Sequence, residues 1–254
     1  MASTLNSRQK EILDLVRKRG FVTIEILAAD FDVSAQTVRR DIIHMGERGL
    51  LKRFHGGAGT IETPGRHSYT QKKRLESSAK IRIGKMLAEM LPDGASVFLD
   101  VGTTVEAAAA ALAGKVDLRV FTASIAAALA FAASPTTRVE VAGGLLAGID
   151  GALTGSRTTE WLGALRPDYA VIACSGIEEK GGVLDFDVGK TDIKRCAMRH
   201  ARCNILVVDH TKFGRQALIR FADLSEFDVL ISDQPVSPEF LPADVSGLDI
   251  RIPN

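Results

Sequence analysis

Apolar residues recur at helical spacing through the first quarter of the chain. Beyond it they gather into short runs separated by helical stretches. Ile12, Leu13 and Val16 make a first helical stripe that stops near Gly20, and Asn6 followed by Gln9 has the form of a capping box ahead of it. Ile26, Leu27 and Phe31 make a second stripe, with Thr23 placed to cap it. Ser34 opens a third helix, in which Val38, Ile42 and Met45 fall at i, i+4 and i+7. At about 100° per residue that helix turns Gln36 and Arg40 away from the stripe, with Thr37 and Arg39 flanking them. Helix, helix, tight turn at residues 31–33, helix is the helix-turn-helix order. Residues 49–57 then read as a short hairpin carrying Lys52, Arg53 and His55.

The polar face of the third helix has a definite chemistry. Arginine bonds guanine bidentately, glutamine does the same to adenine, and hydroxyls suit phosphates. Ser34, Gln36, Thr37, Arg39 and Arg40 at the start of a helix are what a major-groove reader needs, and Arg53 and His55 on the hairpin are placed to meet a phosphate backbone. Residues 59–79, rich in Gly, Thr, Ser and charge around Pro64-Gly65, read as a hinge.

From there the pattern is βαβ. Apolar strands are expected at 96–99, 118–121, 139–142, 170–174, 205–208 and 229–232, the last of these ending the sheet, with alanine-rich helices after the first two and another helix over about 188–202. This predicts an α/β fold, a mostly parallel sheet covered on both faces. The strand ends repeat small polar residues and glycines: Asp100, Gly102, Thr103 and Thr104; Thr122 and Ser124; Gly143-Gly144; Gly151 with Gly155; Ser175-Gly176. Ligands of open parallel sheets sit at such ends. Glycines let backbone N–H groups close on an anion, and the next helix supplies a favourable dipole. Lys194 and Lys212 add positive charge just past strand ends. Cys196 and His200, at i and i+4, can share a helix face, but further metal ligands are not evident, and no metal is expected.

Composition narrows the classes. The chain has 254 residues, is 46% hydrophobic and carries a net charge of +1. Residues 1–58 hold ten Lys/Arg and seven Asp/Glu, against 22 and 24 in the remainder, so the basic excess sits in the helix-turn-helix. Three cysteines and no apolar leader suit a reducing cytoplasm, and no apolar run is long enough to span a bilayer.

The stretch FVTIEILAADFDVSAQTVRRDIIHMGERGLLKRFHGGA, ending in the R-x-H-G-G-A run from Arg53 to Ala58, resembles the N-terminal domain of the DeoR family of bacterial transcription regulators. FLDVGTTVEAAAAAL, DGALTG, SGIEEKGGVLDFD and LVVDHTKFGRQA resemble that family's effector domain. The resemblance implies a winged helix-turn-helix over 1–58, a linker over 59–79, and over 80–254 an oligomerising effector domain similar in fold to ribose-5-phosphate isomerase. It implies a repressor of carbohydrate or glycerol metabolism genes, a homo-oligomer on double-stranded operator DNA, with no membrane partner and no cofactor. A phosphorylated effector, glycerol-3-phosphate or a related polyol or sugar phosphate, is to be lined by Asp100, Gly102, Thr103, Thr104, Ser124, Lys194, Asp209 and Lys212. Two positions depart from the family pattern: Ala123 replaces a common Asn, and Lys190 stands where an acidic residue is usual, four before the helix lysine. The alternatives are a different sugar phosphate, or an isomerase-like enzyme with a DNA-binding appendage, since Asp100, Lys194 and Asp209 are acid–base types.

Overall fold

In a computed structural model of the chain, which describes residues 5–19, 21–54, 56–59, 69–148 and 150–253, the first helix, α1 (Ser7–Arg19), begins on the capping box: Gln9 N donates to Asn6 Oδ1 at 2.8 Å and Asn6 N to Gln9 Oε1 at 3.3 Å. A three-residue strand not foreseen in the sequence, β1 (Phe21–Thr23), leads into α2 (Ile24–Asp30), where the Thr23 hydroxyl accepts from Ile26 N. Ser34 caps α3 (Ala35–Glu47) in the same way through Thr37 N. Ile12, Val16, Leu27, Val38, Ile42 and Met45 close on one core, so the helical stripes point where their spacing says. The hairpin is β2 (Lys52–Phe54) with β3 (Gly57–Gly59), and β3 sits between β1 and β2 in an antiparallel sheet. Gly57 is required there: a Cβ would stand 2.3 Å from Val22 O and 2.6 Å from the Phe21 ring. Gly20, His55 and residues 60–68 lie outside the described residues, and the chain divides into two units, residues 1–68 with Arg215–Leu218 and residues 69–214 with 219–254.

The second unit opens with α4 (Tyr69–Arg74) and α5 (Ser77–Met90), so residues 69–74 of the stretch read as a hinge are helical. Then come β4 (Ser96–Leu99), α6 (Thr103–Leu112), β5 (Arg119–Thr122), α7 (Ile125–Leu129) and β6 (Arg138–Val141). A hairpin of β7 (Leu145–Ala147) and β8 (Ala152–Thr154) precedes α8 (Ser156–Gly163) and β9 (Tyr169–Ile172). The chain continues through β10 (Gly176–Ile177), β11 (Gly182–Asp185), α9 (Val188–His200), β12 (Cys203–Val208), β13 (Ile219–Asp223), β14 (Val229–Ser232) and β15 (Asp249–Arg251). The main sheet runs β15-β14-β12-β9-β4-β5-β6, all parallel. It therefore extends one strand beyond residues 229–232, which were expected to end it.

Alternation along these strands feeds two cores. Val97, Leu99, Val171, Val207 and Ile231 face α5, α6 and α7; Phe98, Ile172, Leu206, Val208 and Leu230 face α8, α9 and the small β10-β11-β13 sheet. The alanine run of α6 has a packing reason. Gly84 of α5 approaches so closely that a Cβ there would lie 2.8 Å from Ala107 O, and larger residues on either helix would hold the pair apart.

Candidate functional site

The exposed face of α3 carries the side chains chosen from its periodicity. Gln36, Arg39 and Arg40 are exposed and Thr37 half-buried, with the Ser34 and Thr37 hydroxyls 2.9 Å apart at the helix start. Below them Asp41 is buried and ties α3 to α1, accepting from Arg8 Nε at 2.7 Å and Gln9 Nε2 at 2.9 Å. The α3 helix is thus braced by charge-assisted bonds as well as by its core. Arg53 is exposed on β2 and its stem crosses Gly46 of α3, where a Cβ would come within 2.7 Å of Arg53 Cγ. Recognition helix and wing are in register because Gly46 leaves that space. His55 lies outside the described residues.

In the second unit the predicted residues gather at the carboxyl ends of the adjacent strands β12, β9, β4 and β5. Asp100 follows β4, Ser124 follows β5 and Asp209 follows β12, while Cys174 and Ser175 follow β9. Lys194, on α9, is 2% exposed and bonds Asp100 Oδ2. It also donates to Ala173 O at 2.8 Å and has Asp185 Oδ2 at 3.3 Å. Two of its three donors are thus hydrogen-bonded, and Asp185 adds a second ion pair. Burial works against the Lys194 charge, but Asp100 and Asp185 outweigh it and raise its pKa. Burial likewise opposes the Asp185 charge, yet Lys194, Phe186 N and Ser175 bring its pKa below the ordinary value. Lys212 is half-buried, 3.3 Å from Asp209 Oδ2 and 3.1 Å from Thr211 Oγ1. Cys174 lies among all these charges: burial pushes its thiol up to about 12, Asp185 adds to the effect, and Lys194 and Lys212 oppose it.

Gly102 precedes α6 with φ 151°, a conformation that favours glycine. No side chain caps the helix, and its first intrahelical bond is Glu106 N to Gly102 O. The N–H groups of residues 103–105 thus form an anion-suited helix start. The Ser124 hydroxyl, by contrast, already accepts from Ala127 N as the cap of α7.

Five more polar residues lie at this end of the sheet; of them only Ser175 was noted in the sequence, as a strand-end residue. They are Asp185 and Ser175, bonded to each other at 2.9 Å, and Lys80, Glu106 and Asp150. Lys80 could have been found, because it shares the apolar stripe of Ile83 and Leu87. Glu106 accepts from the Tyr69 hydroxyl at 2.9 Å through Oε2, while its Oε1 is buried without a hydrogen-bond partner; Asp150 Oδ1 is in the same condition. Burial raises the Glu106 pKa, and burial together with Glu106 takes Tyr69 to about 12. Lys190, the unusual residue of α9, bonds Asp150 Oδ2, and Ala123 is fully buried. The Cys196 thiol donates to Thr159 O at 3.4 Å and His200 Nδ1 lies 2.7 Å from Cys196 O; no metal-binding group occurs among the described residues. No helix is long and apolar enough to cross a membrane among the described residues.

Comparison with known proteins matches both units. Residues 8–64 match the DeoR-like helix-turn-helix domain and residues 75–234 the DeoR C terminal sensor domain. The chain is 35% identical over 228 residues to the glycerol-3-phosphate regulon repressor of Escherichia coli (strain K12), covering 90% of each chain. It is 35% identical over 249 residues to the HTH-type transcriptional repressor CsqR of the same organism, covering 98% of this chain and 95% of that one. Among solved structures, ribose 5-phosphate isomerase A from Methanocaldococcus jannaschii is similar over 54% of this chain and 55% of its own, with 14% identity and a TM-score of 0.41.

Proposed function

The chain belongs to the DeoR family of bacterial transcription regulators, and from that premise we propose that it is a repressor whose winged helix-turn-helix holds operator DNA and whose second unit releases it on binding a phosphorylated metabolite. Glycerol-3-phosphate, or a similar small polyol or sugar phosphate, is the effector. The observation that carries this reading is the joining, in one chain, of an exposed Gln36/Arg39/Arg40 helix face to a charged strand-end cluster beside an uncapped helix start. The phosphate docks on the N–H groups of residues 103–105 and on Lys212. Asp209, Glu106 and Asp150 accept from the ligand's hydroxyls, because ionised carboxylates have acceptor capacity only. Lys194, buried and paired with two carboxylates, organises Asp100 and Asp185 and does not touch the phosphate.

The same pairing favours a sensor over an isomerase. A general base must be within reach of the substrate proton, and Asp100 and Lys194 already hold each other. The protein acts in the cytoplasm as a homo-oligomer, since one helix-turn-helix reads one half-site. Support for the oligomer comes from the outer edge of the sheet, where Val141 of β6, Ile125 and Leu129 of α7, and Leu145 and Leu146 of β7 are exposed together with the unpaired edge of β6. A thermal-shift screen of phosphorylated metabolites tests the effector reading, because a true ligand stabilises the folded state by mass action. Stabilisation by none of them overturns it, and turnover of a sugar phosphate restores the enzyme reading.

A further inference from the structure

The amino ends of the main sheet hold a second group of polar residues. Ser96, Arg119 and Arg138 open β4, β5 and β6 and stand in register across these neighbouring parallel strands. In-register residues of a parallel sheet project from the same face, about 5 Å apart from strand to strand. Val97, Val120 and Val139, the next residues, take the face covered by α5, α6 and α7, so Ser96, Arg119 and Arg138 take the other. With Asp117, Thr136 and Asp168 they line a cavity of about 470 Å³, at the opposite end of the strands from Asp100 and Asp209. That volume is in the range of small-molecule sites.

The cavity has two cations without a counter-charge. Arg119 and Arg138 are exposed, and neither guanidinium has a hydrogen-bond or ion-pair partner among the described residues. Like charges directly opposite on neighbouring strands are destabilising, and an anion between them removes that penalty. The nearby carboxylates do not fill this place. Asp168 Oδ2 accepts from Ser96 N at 3.0 Å and from Ser96 Oγ at 2.5 Å, and its Oδ1 lies 3.3 Å from Arg202. Asp117 is exposed and pairs with neither arginine; its N–H is given to Thr136 Oγ1 at 3.3 Å. Thr136 therefore keeps its own O–H to donate. Two guanidinium forks and a hydroxyl are the free donors of the cavity, and such forks match carboxylate and phosphate oxygens bidentately.

We propose that this cavity is a second ligand site, separate from the strand-end cluster, which takes a small organic dianion, a dicarboxylate or a phosphomonoester, between the guanidinium forks of Arg119 and Arg138. At their spacing the two forks grip one phosphate together or one carboxylate each. Asp117 is left to accept from a hydroxyl of the ligand. The site shares strands with the cluster at the other end, since β4 and β5 begin at Ser96 and Arg119 and lead to Asp100 and Ser124. The inference does not depend on the effector reading above.

The test uses the full-length protein and its Arg119→Gln/Arg138→Gln double variant, with succinate and sn-glycerol-3-phosphate as probes and acetate at matched ionic strength as the monoanion control. Phenylglyoxal labelling, mapped by mass spectrometry, reads the two arginines directly, and calorimetry gives the affinities. A ligand at about ten times its Kd leaves the site open about a tenth of the time, so at least one dianion should slow labelling of both arginines about tenfold while acetate does not. The Kd of that compound should rise about tenfold or more in the double variant. Both substituted residues are exposed, so the variant should keep the wild-type Trp161 melting curve. Whichever probe protects tells dicarboxylate from phosphomonoester. Protection by neither at millimolar concentration, or equal protection by acetate, overturns the proposal. So does a Kd for the protecting compound within about twofold of wild type in the double variant. Binding of sn-glycerol-3-phosphate that leaves both arginines open to the reagent belongs to the strand-end cluster and counts against a phosphomonoester here.

Discussion

Lys194→Met keeps the length of the side chain and removes its ammonium. Asp100, 1% exposed, then loses its cation and keeps the bond from Ala173 N at 3.1 Å. Asp185 loses the charge at 3.3 Å and keeps Ser175 Oγ and Phe186 N at 2.9 and 2.7 Å. Removing one partner of a buried pair costs about 3–5 kcal/mol, because an uncompensated charge is left behind. At about 2–4 °C per kcal/mol for a domain of this size, the unit should melt about 6–20 °C lower. Adding Asp100→Asn should recover most of the loss, since Asp185 retains its two donors and the worst-compensated carboxylate is gone. Trp161, the one tryptophan, lies on α8 of the same unit against Phe121, so its fluorescence reports this melting separately from the DNA-binding unit. A Lys194→Met protein melting within about 2 °C of wild type, a shift worth 1 kcal/mol or less, would refute the structural role. If it also lost its ligand response, Lys194 would return to the effector-contacting role implied by family resemblance.

Arg40→Ala should weaken operator binding by about 1–3 kcal/mol in a shift assay and relax specificity at one base pair, whereas Arg53→Ala should weaken binding evenly across sequences. Asp185 and Asp209 have folded pKa values below the ordinary carboxylate value, so their stabilisation is complete above about pH 4 and lost as the pH falls through the folded values. The urea midpoint followed by Trp161 should accordingly fall below about pH 4, and Lys212→Met should blunt that fall by removing the charge that holds Asp209 down. Leu145→Asp with Leu146→Asp should convert the oligomer to monomer in sedimentation without changing the Trp161 melting curve.

The N-terminal unit was legible because local signals agree there. Caps at Asn6, Thr23 and Ser34 and stripes at helical spacing name the same boundaries, and the structure keeps them. The missed strand β1 has three residues and no period of its own; its partner β3 makes it a strand. In the second unit the apolar strands of the main sheet could be read, since burial on both faces demands continuous apolar runs. The β7–β8 hairpin, the two-residue β10 and the polar-flanked β15 could not, because pairing with distant segments sets their conformation. For the candidate site, residue type and strand-end position pointed to Asp100, Asp209 and Lys212, which do lie at the strand ends, but not to how charges divide among partners. Lys194 looked free in sequence and is buried between two carboxylates. Lys80 was not singled out in sequence, and its place on the Ile83–Leu87 stripe was the available clue. Lys190 reads as a spare cation until Asp150 is seen beside it.

The central claim is that a phosphorylated small molecule bound in the second unit releases DNA held by the first. The direct measurement is a titration of sn-glycerol-3-phosphate and ribose-5-phosphate into a complex of the full-length protein with DNA selected from a random pool, read by fluorescence anisotropy, with glycerol and inorganic phosphate as controls. At least one phosphorylated compound should weaken DNA binding about tenfold or more, which requires about 1.4 kcal/mol of coupling. Glycerol should have no effect, and Lys212→Ala should keep the DNA affinity while losing the response. Release by glycerol alone, or DNA affinity indifferent to every phosphorylated compound that binds, would contradict the account.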